Sequence, residues 1–214
     1  MDFGLAFSFP FKDEDWVIKI LIAGLIGIIP LIGQIALLGW MIEVSRRVIK
    51  NDPEQLPGWS NFGGLLVLGL KGIVIGIVVA IPYIILSIPF PLMAIDDSGT
   101  LVAIYSFCFS CFAILYAILL IVAVPASYGL LAATDDLGEA LNVGKILDLV
   151  RAAPGAYIIA FLGTILASII GSLGIILCFV GVVFTTAYAF SVQGHLYGQA
   201  YNEAQLNLPA PVEA

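Results

Sequence analysis

Four stretches of this chain contain no Asp, Glu, Lys or Arg: Ile20–Ile42, Gly72–Ile95, Ser98–Thr134 and Ala152–Asn202. A helix needs about 20 apolar residues to cross a hydrocarbon layer roughly 30 Å thick. The first two stretches each hold one span, the third holds one with room over, and the fourth holds two. Of 214 residues, 61% are hydrophobic and only 11% charged, against about 25% charged in a soluble domain. In water such a chain would expose more apolar surface than its charges could cover, so its solvent is lipid. The fold expected is all-α: a polytopic integral membrane helical bundle with five to six membrane segments arranged as hairpins and short interfacial helices.

Four spans stand out: Ile73–Ile95, Leu101–Val124, Gly155–Leu173 and Ile175–Tyr197. Only "DDSGT" (Asp96 to Thr100) separates the first two, and "GSLG" (Gly171 to Gly174) the last two. Each pair is a hairpin whose short turn lacks Lys and Arg. Lys71, Lys145 and Arg151 lie at the other ends, and Arg46, Arg47 and Lys50 in the connection before them. The positive-inside rule places those connections in the cytoplasm, which gives a multi-pass protein of the cell inner membrane with a cytoplasmic C-terminus. The start, "MDFGLAFSFPFKDEDW", lacks the basic residues of a cleaved signal peptide.

The segment "IIPLIGQIALLGWMIEVSRRV" (Ile28 to Val48) is less simple. A single kinked span would put Lys12 and Lys19 outside. A reversal at Pro30 to Gly33 keeps all eight Lys and Arg residues on one side and is the favoured reading. Pro30 cannot donate a helical hydrogen bond, and Gly27 and Gly33 give the backbone room. The arm Trp16 to Ile29 would then reach only about 21 Å, making a re-entrant hairpin that other helices must bury. Pro30, Gly33 and Gln34 are the structural turn, with the Gln34 amide latched to carbonyls freed near Pro30. One membrane domain, 1–214, results: broken hairpin or kinked span 1–50, connector 51–71, hairpin 72–124, connector 125–154, hairpin 155–197 and cytoplasmic tail 198–214.

A faint repeat relates "FGGLLVLG" (Phe62 to Gly69) to "LGEALNVG" (Leu137 to Gly144), each preceding a hydrophobic hairpin. The second copy suits a helix lying in the membrane interface. Gly69, Gly72 and Gly76 are spaced for close helix packing. Trp16, Trp40, Trp59, Tyr128 and Tyr197 fit interfacial anchoring, and Glu43 is placed to pair with Arg46 and Arg47.

"FPFKDEDW" (Phe9 to Trp16), "IPLIGQIALLGWMIEVSRRVI" and "LPGWSNFG" (Leu56 to Gly63) together resemble a bacterial and archaeal membrane family catalogued as domain of unknown function 4013. The resemblance implies a multi-pass membrane protein and supplies no catalytic residues. Acidic residues often follow the tryptophan of the third motif in that family; Ser60 and Asn61 stand there in this chain.

No Ser-His-Asp set, metal cluster or phosphate loop is visible, so an enzyme is not expected, and no motif specifies a cofactor. Cys108, Cys111 and Cys178 read as small packing residues. His195, the one histidine, is the candidate cofactor ligand, although a hydrogen-bonded histidine near the interface is the simpler reading. Asp96–Asp97 and Asp135–Asp136 fall at loop edges and read as solvated. No basic cluster suggests nucleic acid. The expected partners are the lipid bilayer and other membrane protein subunits. Two functions remain: a non-catalytic structural or accessory subunit of a larger membrane complex that holds pigment, quinone or haem, and a small-solute transporter or channel.

Overall fold

The structure is a computed structural model that describes residues 1–93 and 99–208, without the side chains of 92–93 and 177–180. Asp96, Asp97 and the last six residues of the tail lie outside the described residues. The chain is an all-helical bundle, 85% helical, with no strand among the described residues. Ten α-helices follow in order: α1 Phe3–Ser8, α2 Trp16–Gly27, α3 Ile32–Ile49, α4 Phe62–Ser87, α5 Pro89–Met93, α6 Thr100–Thr134, α7 Leu137–Ala140, α8 Val143–Ala152, α9 Pro154–Leu173 and α10 Cys178–Asn207. Short 3₁₀ turns at Phe9–Lys12 and Gly174–Leu177 join α1 to α2 and α9 to α10. Among the described residues three segments are long and apolar enough to cross a membrane: Phe62–Pro91, Thr100–Thr134 and Pro154–Ile176.

The chain reverses between α2 and α3. The ring of Pro30 removes a helical donor and disfavours helix at the residue before it. Leu31 then takes φ 63° and ψ −65°, and Ile32 N–H donates to the Pro30 carbonyl at 2.8 Å. That is a γ-turn of the rare, strained kind. The return is tight because Gly33 lies on the Ile26 carbonyl, where a Cβ would come within 1.9 Å. The side-chain amide of Gln34 donates to the freed Gly27 carbonyl at 2.9 Å. Twelve residues make α2, about 18 Å of helix, so the hairpin tip ends partway through an apolar layer.

α10 runs through the middle of the bundle, against α1, α2, α3, α6, α8 and α9. Small residues let the backbones meet: Gly24 lies on Val183, Gly194 on the Met41 carbonyl, and Gly198 on Ser45 and Val48. α4 crosses α3 through Gly39 and Gly69, whose missing Cβ atoms would fall 1.8 Å from the Leu65 carbonyl and 1.9 Å from the Ile35 carbonyl. Gly76 faces open space, so only Gly69 and Gly72 of the expected trio make the contact.

Beyond that crossing the α4–α6 hairpin stands apart. No described residue of α4 after Ile75, and none of α6 before Pro125, is buried. Tyr116 ties the two helices by donating to the Val79 carbonyl at 2.7 Å, beside Pro82, which disturbs the α4 ladder. Tyr105 donates to the Leu86 carbonyl, where α4 breaks before Pro89. Phe90 and Phe109 fill the space between with edge-on rings.

Several boundaries move relative to the sequence expectation. α4 starts at Phe62 and α6 runs on to Thr134, so parts of both expected connectors are extensions of spanning helices. α10 continues to Asn207, well into the expected tail. The two repeat copies differ: Phe62–Gly69 opens one continuous helix, whereas Leu137–Gly144 breaks into α7 and α8, capped by Asp136 and Asn142.

Candidate functional site

Lys19, Arg46, Arg47 and Lys71 are joined by ion pairs at one end of the bundle, referred to below as the basic end. Lys19 on α2 pairs with Asp13 and Glu54, each at 2.6 Å. Glu43 bridges Arg46 at 3.2 Å and Arg47 at 3.6 Å. Arg46 also reaches across to Asp135 at 3.0 Å, and Lys71 of α4 meets the same carboxylate at 2.9 Å. Asp135 is thus a joint between α3, α4 and the end of α6 rather than a plain solvated loop residue. The Lys71 ammonium hydrogen-bonded to it, and Arg46 beside it, hold its carboxyl below the ordinary carboxylate range against the opposing effect of burial.

The loop 51–61 straps this end. Trp40 is fully buried and donates its indole N–H to the Pro57 carbonyl at 2.9 Å. Trp59 stacks on it and donates to the Lys19 carbonyl at 3.0 Å. Tyr128 stacks with buried Tyr197. Trp40 and Tyr197 therefore anchor protein to protein rather than facing the lipid interface. A pair of apolar rings with hydrogen-bonding rims serves either purpose, and the sequence does not distinguish them. A cavity of about 830 Å³ opens under this strap among Asp13, Glu14, Asp15, Asp52 and Glu54, with Lys12 and Lys19.

His195 of α10 is 1% exposed and its tautomer follows from its neighbours. The Asp2 backbone N–H donates to Gln199 Oε1 at 2.7 Å, which turns the Gln199 amide nitrogen toward His195 Nδ1, 2.9 Å away. Nδ1 must accept, so the ring proton sits on Nε2 and donates to Gln55 Oε1 at 3.0 Å. Phe9 stacks on the ring with centroids 4.3 Å apart. Both nitrogens are occupied, which leaves no lone pair for an axial metal bond. Gln55 lies 140 residues away in sequence, and nothing in its local pattern marks it as this partner.

Pro30, Gly33 and Gln34 come together at the tip of the α2–α3 hairpin, far from His195 along α10. A cavity of about 220 Å³ lies between that tip and α10, bordered by Gly27, Gln34 and Thr186. Beside it a groove of about 300 Å³ runs between α9 and α10, bordered by Ser168, Ser172, Thr186 and Gln193. Cys108 and Cys111 are exposed on α6, so they line the outside of the protein instead of packing within it. No group of three or more His, Cys, Asp or Glu suited to a metal ion occurs among the described residues.

Residues 22–180 match the model of a family described as Protein of unknown function (DUF4013). The chain belongs to that family. No curated protein and no solved structure matches it. The DUF4013 match spans the α2–α3 hairpin, the strap, the α4–α6 hairpin and α9. It stops short of His195, Gln199 and Phe9, so of the buried imidazole's partners only Gln55 falls inside the matched segment of this DUF4013 protein.

Proposed function

We propose that this protein is a non-catalytic accessory subunit of a larger complex in the cell inner membrane, with its basic end and C-terminus in the cytoplasm. The observation that supports this reading is the outer α4–α6 hairpin. It leaves the bundle beyond Ile75, is predominantly apolar, and ends in an aromatic cluster tied, among the described residues, by tyrosine–carbonyl bonds from Tyr105 and Tyr116. A free-standing element of that kind gains little for its own fold and offers a long surface to a neighbouring membrane protein.

The native thiol at Cys108 provides the test. With Cys111 and Cys178 replaced by Ser, Cys108 is coupled to a benzophenone maleimide in native membranes and irradiated. A discrete protein adduct is expected; labelling confined to lipid would overturn the subunit reading. For sidedness, Ser8→Cys should react with impermeant maleimide only from the cytoplasmic face, and exclusive labelling from outside would reverse the assignment.

The half-length α2–α3 hairpin favours a second reading, a small-solute transporter or channel, because broken helices that end within the membrane form solute sites in such proteins. Flux in proteoliposomes that falls on replacing Gln34 would support it, and unchanged flux would remove Gln34 from any path.

A further inference from the structure

The two cavities beside α10 share Val182 and Thr186, one on the hairpin-tip side and one along α9. The groove along α9 lies within the charge-free run 152–202, and the smaller cavity lies between that run and the charge-free run 20–42. Thr186 is 17 positions from Glu203, the nearest charge on its helix, or about 25 Å along the axis. No Asp, Glu, Lys, Arg or His borders either space.

Most hydroxyls of this region are satisfied by backbone carbonyls of α9 and α10. Ser168 donates to the Thr164 carbonyl, Ser172 to Ile169, and Thr185 to both Gly171 and Gly181. Thr186 and Gln193 differ. Neither makes a hydrogen bond among the described residues, and Gln34 commits one of its two N–H groups to Gly27 and leaves its carbonyl oxygen free. Thr186 and Gln193 are seven residues apart, two turns on one face of α10, with Phe190 between them. An unsatisfied polar group in hydrocarbon costs several kcal/mol, so an acyl chain is a poor occupant of this groove. A charged occupant would lack a counterion in a low dielectric.

We propose that the groove between α9 and α10, with the smaller cavity behind Thr186, binds an uncharged lipid-phase molecule carrying carbonyl or hydroxyl groups. The Gln193 amide and the Thr186 hydroxyl each donate and accept, so they pair with either group. Phe190, Ile175 and Val182 cover the apolar body. The groove lies on the outer surface of the α9–α10 hairpin, which gives lateral entry from the bilayer. This proposal is independent of the subunit reading.

The test uses the full chain in lipid nanodiscs and 4-(hydroxymethyl)benzophenone, a neutral probe that bears both groups and crosslinks on irradiation. Labelling is expected within 168–193, and a long-chain alcohol in the bilayer should compete with it. Losing one hydrogen bond of about 1–1.5 kcal/mol corresponds to a roughly fivefold to tenfold loss, so Gln193→Leu and Thr186→Val should each reduce labelling by that factor. Gln193→Leu removes an unpartnered amide, so its melting temperature without probe should equal or exceed that of the parent protein. Thr186→Val changes no volume and serves if the first variant is poorly folded. Equal labelling by unsubstituted benzophenone or charged 4-benzoylbenzoate would overturn the proposal, as would labelling unaffected by both variants. Competition by glycerol from the buffer, with none from the long-chain alcohol, would overturn the lipid-phase source.

Discussion

The centre of this molecule is less apolar than its periphery. α3 and α10, the most enclosed long helices, carry Gln34, Glu43, Ser45, Ser191, Gln193, His195 and Gln199, whereas α4 and the outer half of α6 present almost unbroken Ile, Val, Leu and Phe to their surroundings. A water-soluble bundle has the opposite gradient. In lipid, apolar surface gains little by meeting apolar surface, and helices associate through close backbone approach and hydrogen bonds. The bundle of α2, α3, α9 and α10 uses both devices, through Gly24, Gly194 and Gly198 and through the His195 lattice. Among the described residues the outer α4–α6 hairpin has neither glycine contacts nor a polar core, and the Tyr105 and Tyr116 hydroxyls tie its helices.

The largest expected break in this comparison is Gly39→Leu. Its Cβ would fall 1.8 Å from the Leu65 carbonyl, so α3 and α4 must separate. Overpacking costs about 1–3 kcal/mol and occasionally more, and here the obstacle is backbone, which places the variant at or beyond the upper figure. Gly76→Leu is the matched control, since nothing lies within 4 Å of that position. Thermal unfolding in detergent should show a large drop for the first and almost none for the second. Equal drops would mean that α4 crosses α3 elsewhere.

Next in size is His195→Leu. Leucine keeps the bulk but strands Gln55 Oε1 and the Gln199 amide, and a buried polar group left unpaired costs about 1–3 kcal/mol. A melting temperature unchanged by this substitution would show that the lattice is dispensable. Smaller again is Tyr116→Phe, about 0.5–1.5 kcal/mol for one hydrogen bond. The outer hairpin is tied separately, so its loss should appear as faster amide exchange in 76–120 with a nearly unchanged global transition. A matching fall in the global transition would mean that the two regions unfold as one.

How much of this difference could be read in advance depends on the range of the signal. Charge-free runs are properties of continuous stretches, so the all-helical fold and helices long and apolar enough to cross a membrane were legible. At Pro30 to Gly33 a missing donor and nearby glycines act locally, where Leu31 takes φ 63° and Gln34 donates to the Gly27 carbonyl. Contacts distant in sequence were not legible. Nothing about Gln55 marks it as the acceptor for His195, and nothing about Gly69 and Gly72 shows that they, rather than Gly76, meet α3. Trp40 reads as an interfacial anchor until loop 51–61 is seen to cover it. Cys108 and Cys111 suit a packed helix, yet α6 leaves the bundle before reaching them.

Asp135 joins the two regions, and its variant has the smallest expected effect. The carboxylate receives Lys71 from α4 and Arg46 from α3, so it ties the base of the outer hairpin to the bundle. Its pKa in the folded protein is lowered, first by the hydrogen bond from Lys71. A carboxyl lowered on folding contributes stability that is fully present above its unfolded pKa and lost as pH falls through the folded value. Asp135→Asn should therefore melt below the parent protein at neutral pH, and the two curves should converge on acidification below the ordinary carboxylate range. The neutral-pH gap should be small, because Asp135 is 59% exposed and solvent screens its pairs. Parallel curves across that range would mean that the carboxylate is not paired in solution. A gap that also speeds amide exchange in 76–120 would identify Asp135 as the hinge on which the outer hairpin depends.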